Sequence, residues 1–137
     1  MSATILVLED DPVLQDLLRE VLEDEGYHII AADSLPALLK IAPAHADLLI
    51  TDLLVNFELV GLHAIRNIRH TQPDLPALIC SAAQKQLELL RPEIDQLGAK
   101  LLAKPFTIDE LVSAVSQALK HTVVDTSYRV KCVPAFA

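Results

Sequence analysis

Basic residues are scarce in this chain: 11 lysines and arginines stand against 19 aspartates and glutamates, leaving a net charge of -8 over 137 residues. An acidic balance argues against direct binding to a nucleic-acid backbone or insertion into an anionic membrane, where basic patches are expected. Cysteine is also sparse. Cys80 and Cys132 lie too far apart for a zinc pattern or a disulfide framework, and Cys80 ends an apolar run as a buried small hydrophobe would. No apolar stretch reaches the length of a membrane span, and residues 1–4 have neither a basic segment nor a long apolar one. A reducing cytoplasm is the expected compartment. Internal repeats, low-complexity segments and a second domain are not evident.

What the chain does have is 52% hydrophobic residues, enough for one sizeable core. Four short runs are continuously apolar: Ile5 to Leu8, Leu48 to Ile50, Ala77 to Cys80 and Leu101 to Ala103. Runs of this kind suit strands buried on both faces of a parallel sheet. Tyr27 to Ala31 is more polar and is expected at a sheet edge. Helical patterns fill the intervals. Val13, Leu14, Leu17, Leu18, Val21 and Leu22 make one stripe, with Asp11 as cap, Pro12 as first residue and Gly26 as the stop. Ser34 is expected to cap a second helix reaching about Ala42, and a third runs from Leu62 to about Thr71. Thr107 and Glu110 form a capping box ahead of Ile108, Leu111, Val112, Val115 and Leu119.

Strand and helix alternate five times, which predicts an α/β fold of flavodoxin-like, doubly wound type. Its five-stranded parallel sheet has order 2-1-3-4-5 and is flanked by five helices. The domain is expected over residues 1–121, with a tail over 122–137. Ligands of such sheets sit beyond the carboxyl ends of the strands. The residues there are Glu9, Asp10 and Asp11 after the first run, Asp52 after the third strand, Ser81 after the fourth and Lys104-Pro105 after the fifth. Clustered carboxylates repel one another unless a cation joins them, and Mg²⁺ suits oxygen ligands and phosphate chemistry. A lysine beside them is a point charge for a phosphoryl oxygen. The bland alternatives are a helix cap for Asp11 and ordinary solvated charge for the others taken singly.

From about Ala3 to His121 the chain resembles response-regulator receiver domains. The matching pieces are Leu8-Glu9-Asp10-Asp11-Pro12, Asp52 after Leu48-Leu49-Ile50-Thr51, Ser81, and Lys104-Pro105-Phe106. The resemblance implies that Asp52 accepts a phosphoryl group from a sensor histidine kinase or histidine phosphotransfer protein. It implies Mg²⁺ held by Asp10 directly, by Glu9 through water, by Asp52 and by the backbone carbonyl of Leu54. Ser81 and Lys104 would contact the phosphoryl group, and Pro105 is often cis in this family. The chain would be no enzyme beyond its own phosphorylation and dephosphorylation, and it would signal to a downstream protein through a phosphorylation-dependent surface.

Three features depart from the family pattern. Leu101 stands where an aromatic residue or histidine usually precedes the lysine by three positions. The loop from Leu53 to Gly61 is unusually apolar and brings its glycine one residue late, which reads as a one-residue insertion. Pro92 falls inside the segment Gln84 to Leu97, so the fourth helix is expected to start near Arg91 or kink there. The missing aromatic and the altered loop keep open a receiver-like binding module that works without phosphorylation, which the intact acid, serine and lysine set opposes. The resemblance also implies that the residues two after the aspartate and two after the serine, here Leu54 and Ala83, flank the path of water to an Asp52 phosphate, and both are apolar.

Overall fold

The computed structural model describes residues 2–120. The tail expected over 122–137 lies outside the described residues. The five parallel strands are β1 (Thr4–Leu8), β2 (His28–Ala32), β3 (Leu48–Asp52), β6 (Ala77–Ser81) and β7 (Lys100–Ala103). Between β3 and the next helix a short antiparallel hairpin is inserted, β4 (Leu54–Val55) and β5 (Glu58–Leu59). The helices are α1 (Pro12–Asp24), α2 (Leu35–Ile41), α3 (Gly61–Arg69), α4 (Gln84–Gln96) and α5 (Ile108–Lys120). The main sheet has the order β2-β1-β3-β6-β7. With the hairpin set aside, that is the 2-1-3-4-5 order expected from the sequence.

The continuous apolar runs are explained by helices on both faces of the sheet. Ile5, Val7, Leu48, Ile50, Leu78 and Cys80 pack with Leu18 and Leu22 of α1 and Leu111 and Val115 of α5. The alternate residues Leu6, Leu8, Leu49 and Ile79 pack with Leu38 of α2, Ile65 and Ile68 of α3 and Ile94 of α4. Side chains alternate across a strand, so each central strand feeds both cores in turn. Cutting one of these side chains back, as in Leu18→Ala, removes about 2–5 kcal/mol. The expectation of two buried faces fails for Leu101 to Ala103. Leu101 and Leu102 are only half-buried and Ala103 is exposed, because β7 closes one edge of the sheet.

The local signals behave as chemistry requires. Asp11 accepts a hydrogen bond from the Val13 N–H at 3.0 Å, and Pro12 opens α1. Gly26 has φ +94, the left-handed conformation that ends α1. Thr107 and Glu110 exchange reciprocal bonds of 2.8 and 3.0 Å. Ile108, placed on the apolar face of α5, is instead 56% exposed, and Ala118 is buried in that helix. α4 does not start near Arg91: it runs unbroken from Gln84 with Pro92 inside. Proline removes one i→i−4 bond, here to the carbonyl of Glu88. Both Pro92 and Glu88 are exposed, so water can take the freed carbonyl. Arg91 bonds Asp95 and Arg66 of α3 bonds Glu93, tying the segment after the proline in place.

Candidate functional site

Strand register assembles the site. Leu8 lies opposite Thr51, Asp52 opposite Cys80, and Ser81 opposite Ala103. Glu9 therefore leaves β1 beside Asp52, and Lys104 leaves β7 one residue beyond Ser81. The Lys104 ammonium donates to Asp52 Oδ2 at 2.7 Å and to Glu9 Oε1 at 3.1 Å. One ligand oxygen from each of Glu9, Asp10 and Asp52 falls within 4.8 Å of the others. Residues separated by almost the whole domain thus meet at one end of the sheet.

Glu9 is 3% exposed, an unusual position for a carboxylate. Burial pushes its pKa up, and the Asp11 N–H and Lys104 pull it back only part of the way. Its Oε2 accepts the Asp11 N–H at 3.1 Å, and Gln15 donates to its backbone carbonyl at 2.9 Å. For Lys104, burial works to lower the pKa, but hydrogen bonds and charges from Asp52 and Glu9 outweigh it and raise it. The nearby Cys80 thiol is pushed up to about 12, chiefly by burial, and is inert at neutral pH.

Asp52 is steadied from its own strand and from the hairpin. Its backbone carbonyl accepts from the buried Thr51 hydroxyl at 2.9 Å, and its Oδ1 lies 3.4 Å from the Leu54 N–H. Ser81 is buried, and its Oγ accepts the Ala83 N–H at 3.1 Å. The Ser81 carbonyl accepts the Lys104 N–H at 3.0 Å, so serine and lysine are fixed to one another through the chain. The Lys104–Pro105 peptide is cis, as the resemblance implied. Asp11 serves as the α1 cap and does not join the three clustered carboxylates.

Three contributors were not visible in the sequence. A Cβ on Gly61 would sit 2.5 Å from the Asp52 carbonyl oxygen and 2.9 Å from Leu53 Cα. Only glycine lets α3 approach the backbone of Asp52 so closely, and its late position in the loop was the available signal. Asn56 and Phe57, at the hairpin tip, have φ of 53 and 65. The Asn56 N–H donates to Asp10 Oδ2 at 2.9 Å, joining the hairpin to the acidic cluster. Asn-Phe is not the Asn-Gly that announces such a turn, so no local pattern marked it. Gln15, bonded to the Glu9 carbonyl, read only as a polar position of α1.

Residues 5–116 match the response regulator receiver domain family. Response regulator MprA of Mycobacterium ulcerans (strain Agy99) is 33% identical over 126 residues, 91% of this chain and 53% of that protein. Response regulator MprA of Mycobacterium tuberculosis (strain ATCC 25618 / H37Rv) is 34% identical over 123 residues, 89% of this chain and 53% of its own. The chain spans about half the length of the curated relatives it matches. The non-phosphorylated receiver domain of HemR from Leptospira biflexa superposes with TM-score 0.77 at 26% identity, covering 93% of this chain and 100% of that one. NtrX from Brucella abortus gives TM-score 0.77 at 26% identity, covering 89% of this chain and 28% of its own. A parallel sheet in this order, with acids, serine and lysine at its carboxyl end and a family match over nearly all described residues, places the chain in the response regulator receiver domain family of two-component systems.

Proposed function

We propose that Asp52 is the phosphoacceptor of this response regulator receiver domain. The observation that carries this is the Lys104 ammonium 2.7 Å from Asp52 Oδ2, with Glu9 and Asp10 beside it. A carboxylate oxygen of Asp52 attacks phosphorus of a phosphohistidine on a sensor kinase or phosphotransfer protein. The nitrogen–phosphorus bond breaks, and its electron pair returns to the imidazole. Lys104 neutralises charge on the phosphoryl oxygens, and the Ser81 hydroxyl, whose oxygen accepts the Ala83 N–H, donates its own proton to one of them. Glu9, Asp10, Asp52 and the Leu54 carbonyl would hold Mg²⁺, a set of hard oxygen donors that fits this ion. When bound, Mg²⁺ supplies positive charge to the crowded carboxylates and the incoming phosphate. Phosphorylation adds about -1.5 to -2 charges at this sheet end, enough to reorder a neighbouring loop and expose a surface to a downstream protein in the cytoplasm.

The test is incubation with a small phosphodonor and Mg²⁺. A mass gain of one phosphoryl group, absent from Asp52→Asn, supports the reading. One observation favours the alternative of a phosphate-independent binding module: half-buried Leu101 has no polar group with which to report the state of the site. No mass gain with any donor, alongside retained binding to a partner, would favour that module.

A further inference from the structure

Asp10 is held differently from its neighbours. Among the described residues its carboxylate has one hydrogen-bond partner, the Asn56 N–H at 2.9 Å. That N–H comes from the tip of the β4–β5 hairpin, 46 residues away in sequence. Val55 pairs with Glu58, so Asn56 and Phe57 are the two residues of the turn, and both have positive φ. Two positive φ values are the mark of the I′ hairpin turn, whose twist matches its strands. Asparagine tolerates this conformation, but phenylalanine rarely adopts it. The Phe57 ring is 98% exposed, so no burial of the ring offsets the strained backbone. The Asn56 side chain adds a long contact of 3.5 Å to the Asp33 carbonyl, beyond β2.

We propose that the Asn56 main chain is a positioning group for the cation ligand Asp10, and that the hairpin turn and a divalent cation stabilise one another. The proposal rests on the reading of Glu9, Asp10 and Asp52 as an Mg²⁺ site. Asp10 is only partly buried, and without the Asn56 bond nothing described fixes its carboxylate. The bond holds Oδ2, and one oxygen of the same carboxylate lies within 4.8 Å of an oxygen of Glu9 and of Asp52. Ligating carboxylates are oriented by such outer hydrogen bonds, and their loss weakens metal binding. The bond forms only while Asn56 and Phe57 keep the left-handed turn. Coupling is reciprocal, so a cation that requires an oriented Asp10 also favours the closed turn. Occupancy of the site is thereby transmitted to the exposed Phe57 at the molecular surface.

Two substitutions separate the main chain of Asn56 from its side chain. Asn56→Val keeps the N–H but disfavours positive φ, whereas Asn56→Gly keeps the N–H, permits the turn and removes the contact to Asp33. Mg²⁺ affinity is measured by titration calorimetry on the full chain, with thermal unfolding to check folding. Asn56→Val should bind Mg²⁺ about ten- to a hundredfold more weakly, and Asn56→Gly should restore binding. In the natural chain, Mg²⁺ should slow hydrogen exchange of the Asn56 amide, a result that does not depend on either variant folding. Asn56→Val binding as tightly as the natural chain, equal losses in both variants, or Mg²⁺ uptake with unchanged Asn56 exchange would each overturn the proposal. Absence of Mg²⁺ uptake by the natural chain would overturn the metal-site reading itself, and the proposal with it.

Discussion

Glu9 and Asp10 are adjacent in sequence yet anchored by opposite means. Glu9 is 3% exposed and meets Lys104, the Asp11 N–H and the packed end of β1. Asp10 is partly exposed, and among the described residues its carboxylate is hydrogen-bonded only by the tip of a two-residue turn. The same contrast divides the whole site. On the sheet side, Thr51 and Ser81 are buried, Asp52 is nearly so, and strand register fixes their separations. On the hairpin side, strands of two residues carry a strained, exposed tip. A core-anchored side transmits force and resists change, while a side with few buried contacts is the one able to move. Substitutions on each side should therefore differ in effect.

The largest effect is expected from Lys104→Met. It removes the ammonium that contacts both Asp52 and Glu9 and leaves an uncompensated buried carboxylate. Phosphorylation by a small donor should slow by about a hundredfold or more, the scale of losing one charge-stabilising donor. The pH dependence follows from the same pair. The pKa of Lys104 is raised above 10.5 in the folded chain. Its stabilisation is therefore fully present below pH 10.5 and is lost as pH rises through the folded value. Urea unfolding at pH 9 and pH 11 should show a larger alkaline loss in the natural chain than in Lys104→Met. Equal losses would remove the ion pair as the cause.

Next is Gly61→Ala, which drives a methyl group into the Asp52 backbone at the junction of the two sides. Overpacking of this kind costs about 1–3 kcal/mol. Because the methyl group meets the carbonyl of Asp52, the proposed acceptor, phosphorylation should fall along with the midpoint of unfolding. Loss of stability with an unchanged phosphorylation rate would show that Asp52 does not depend on this contact.

The sheet side was legible in the sequence and the hairpin side was not, for physical reasons. Runs such as Leu48 to Ile50 have to be apolar because two cores claim alternate residues, so the polar residue ending each run stands out. Alternation of strand and helix then sets the order of the sheet, and with it the meeting of Glu9, Asp52 and Lys104. The hairpin has no such constraint. Two residues per strand give no periodicity, and Phe57 occupies the place where glycine would have announced a turn. The late start expected of α4 failed for a related reason: a helix interior tolerates proline where water can satisfy the freed carbonyl, and residue sequence alone does not tell which face is wet. Ile108 kept helical spacing but lies in the first turn of α5, beyond the reach of the core.

A smaller effect, of opposite sign, is expected at the hairpin tip. Phe57→Gly relieves a left-handed phenylalanine that buries nothing, so it should stabilise the chain or leave it unchanged, by at most about 1 kcal/mol. The same replacement at a core position would cost several times as much. A clear destabilisation, read as a lower thermal midpoint, would mean that the Phe57 ring contributes to stability despite its exposure.

The smallest expected effect concerns how long an Asp52 phosphate lasts, and it depends on both sides together. Water must attack in line with the bond to Asp52. The resemblance to receiver domains implies that the residues flanking that path are Leu54, from the hairpin, and Ala83, at the start of α4. Neither side chain can hydrogen-bond, so neither orients a water molecule. Leu54 is half-buried, and its backbone N–H lies 3.4 Å from Asp52 Oδ1. Loss of phosphate should therefore be slow in the natural chain. Leu54→Asn with Ala83→Glu should speed it by about fivefold, the rate equivalent of one hydrogen bond worth ~1 kcal/mol. The single substitutions apportion the effect between the two sides. If the hairpin side is the mobile one, Ala83→Glu alone should give most of the gain, because it presents its carboxylate from a fixed helix start. Decay of the double variant no faster than that of the natural chain would mean that water already enters through an open hairpin, and that the apolar pair shields nothing.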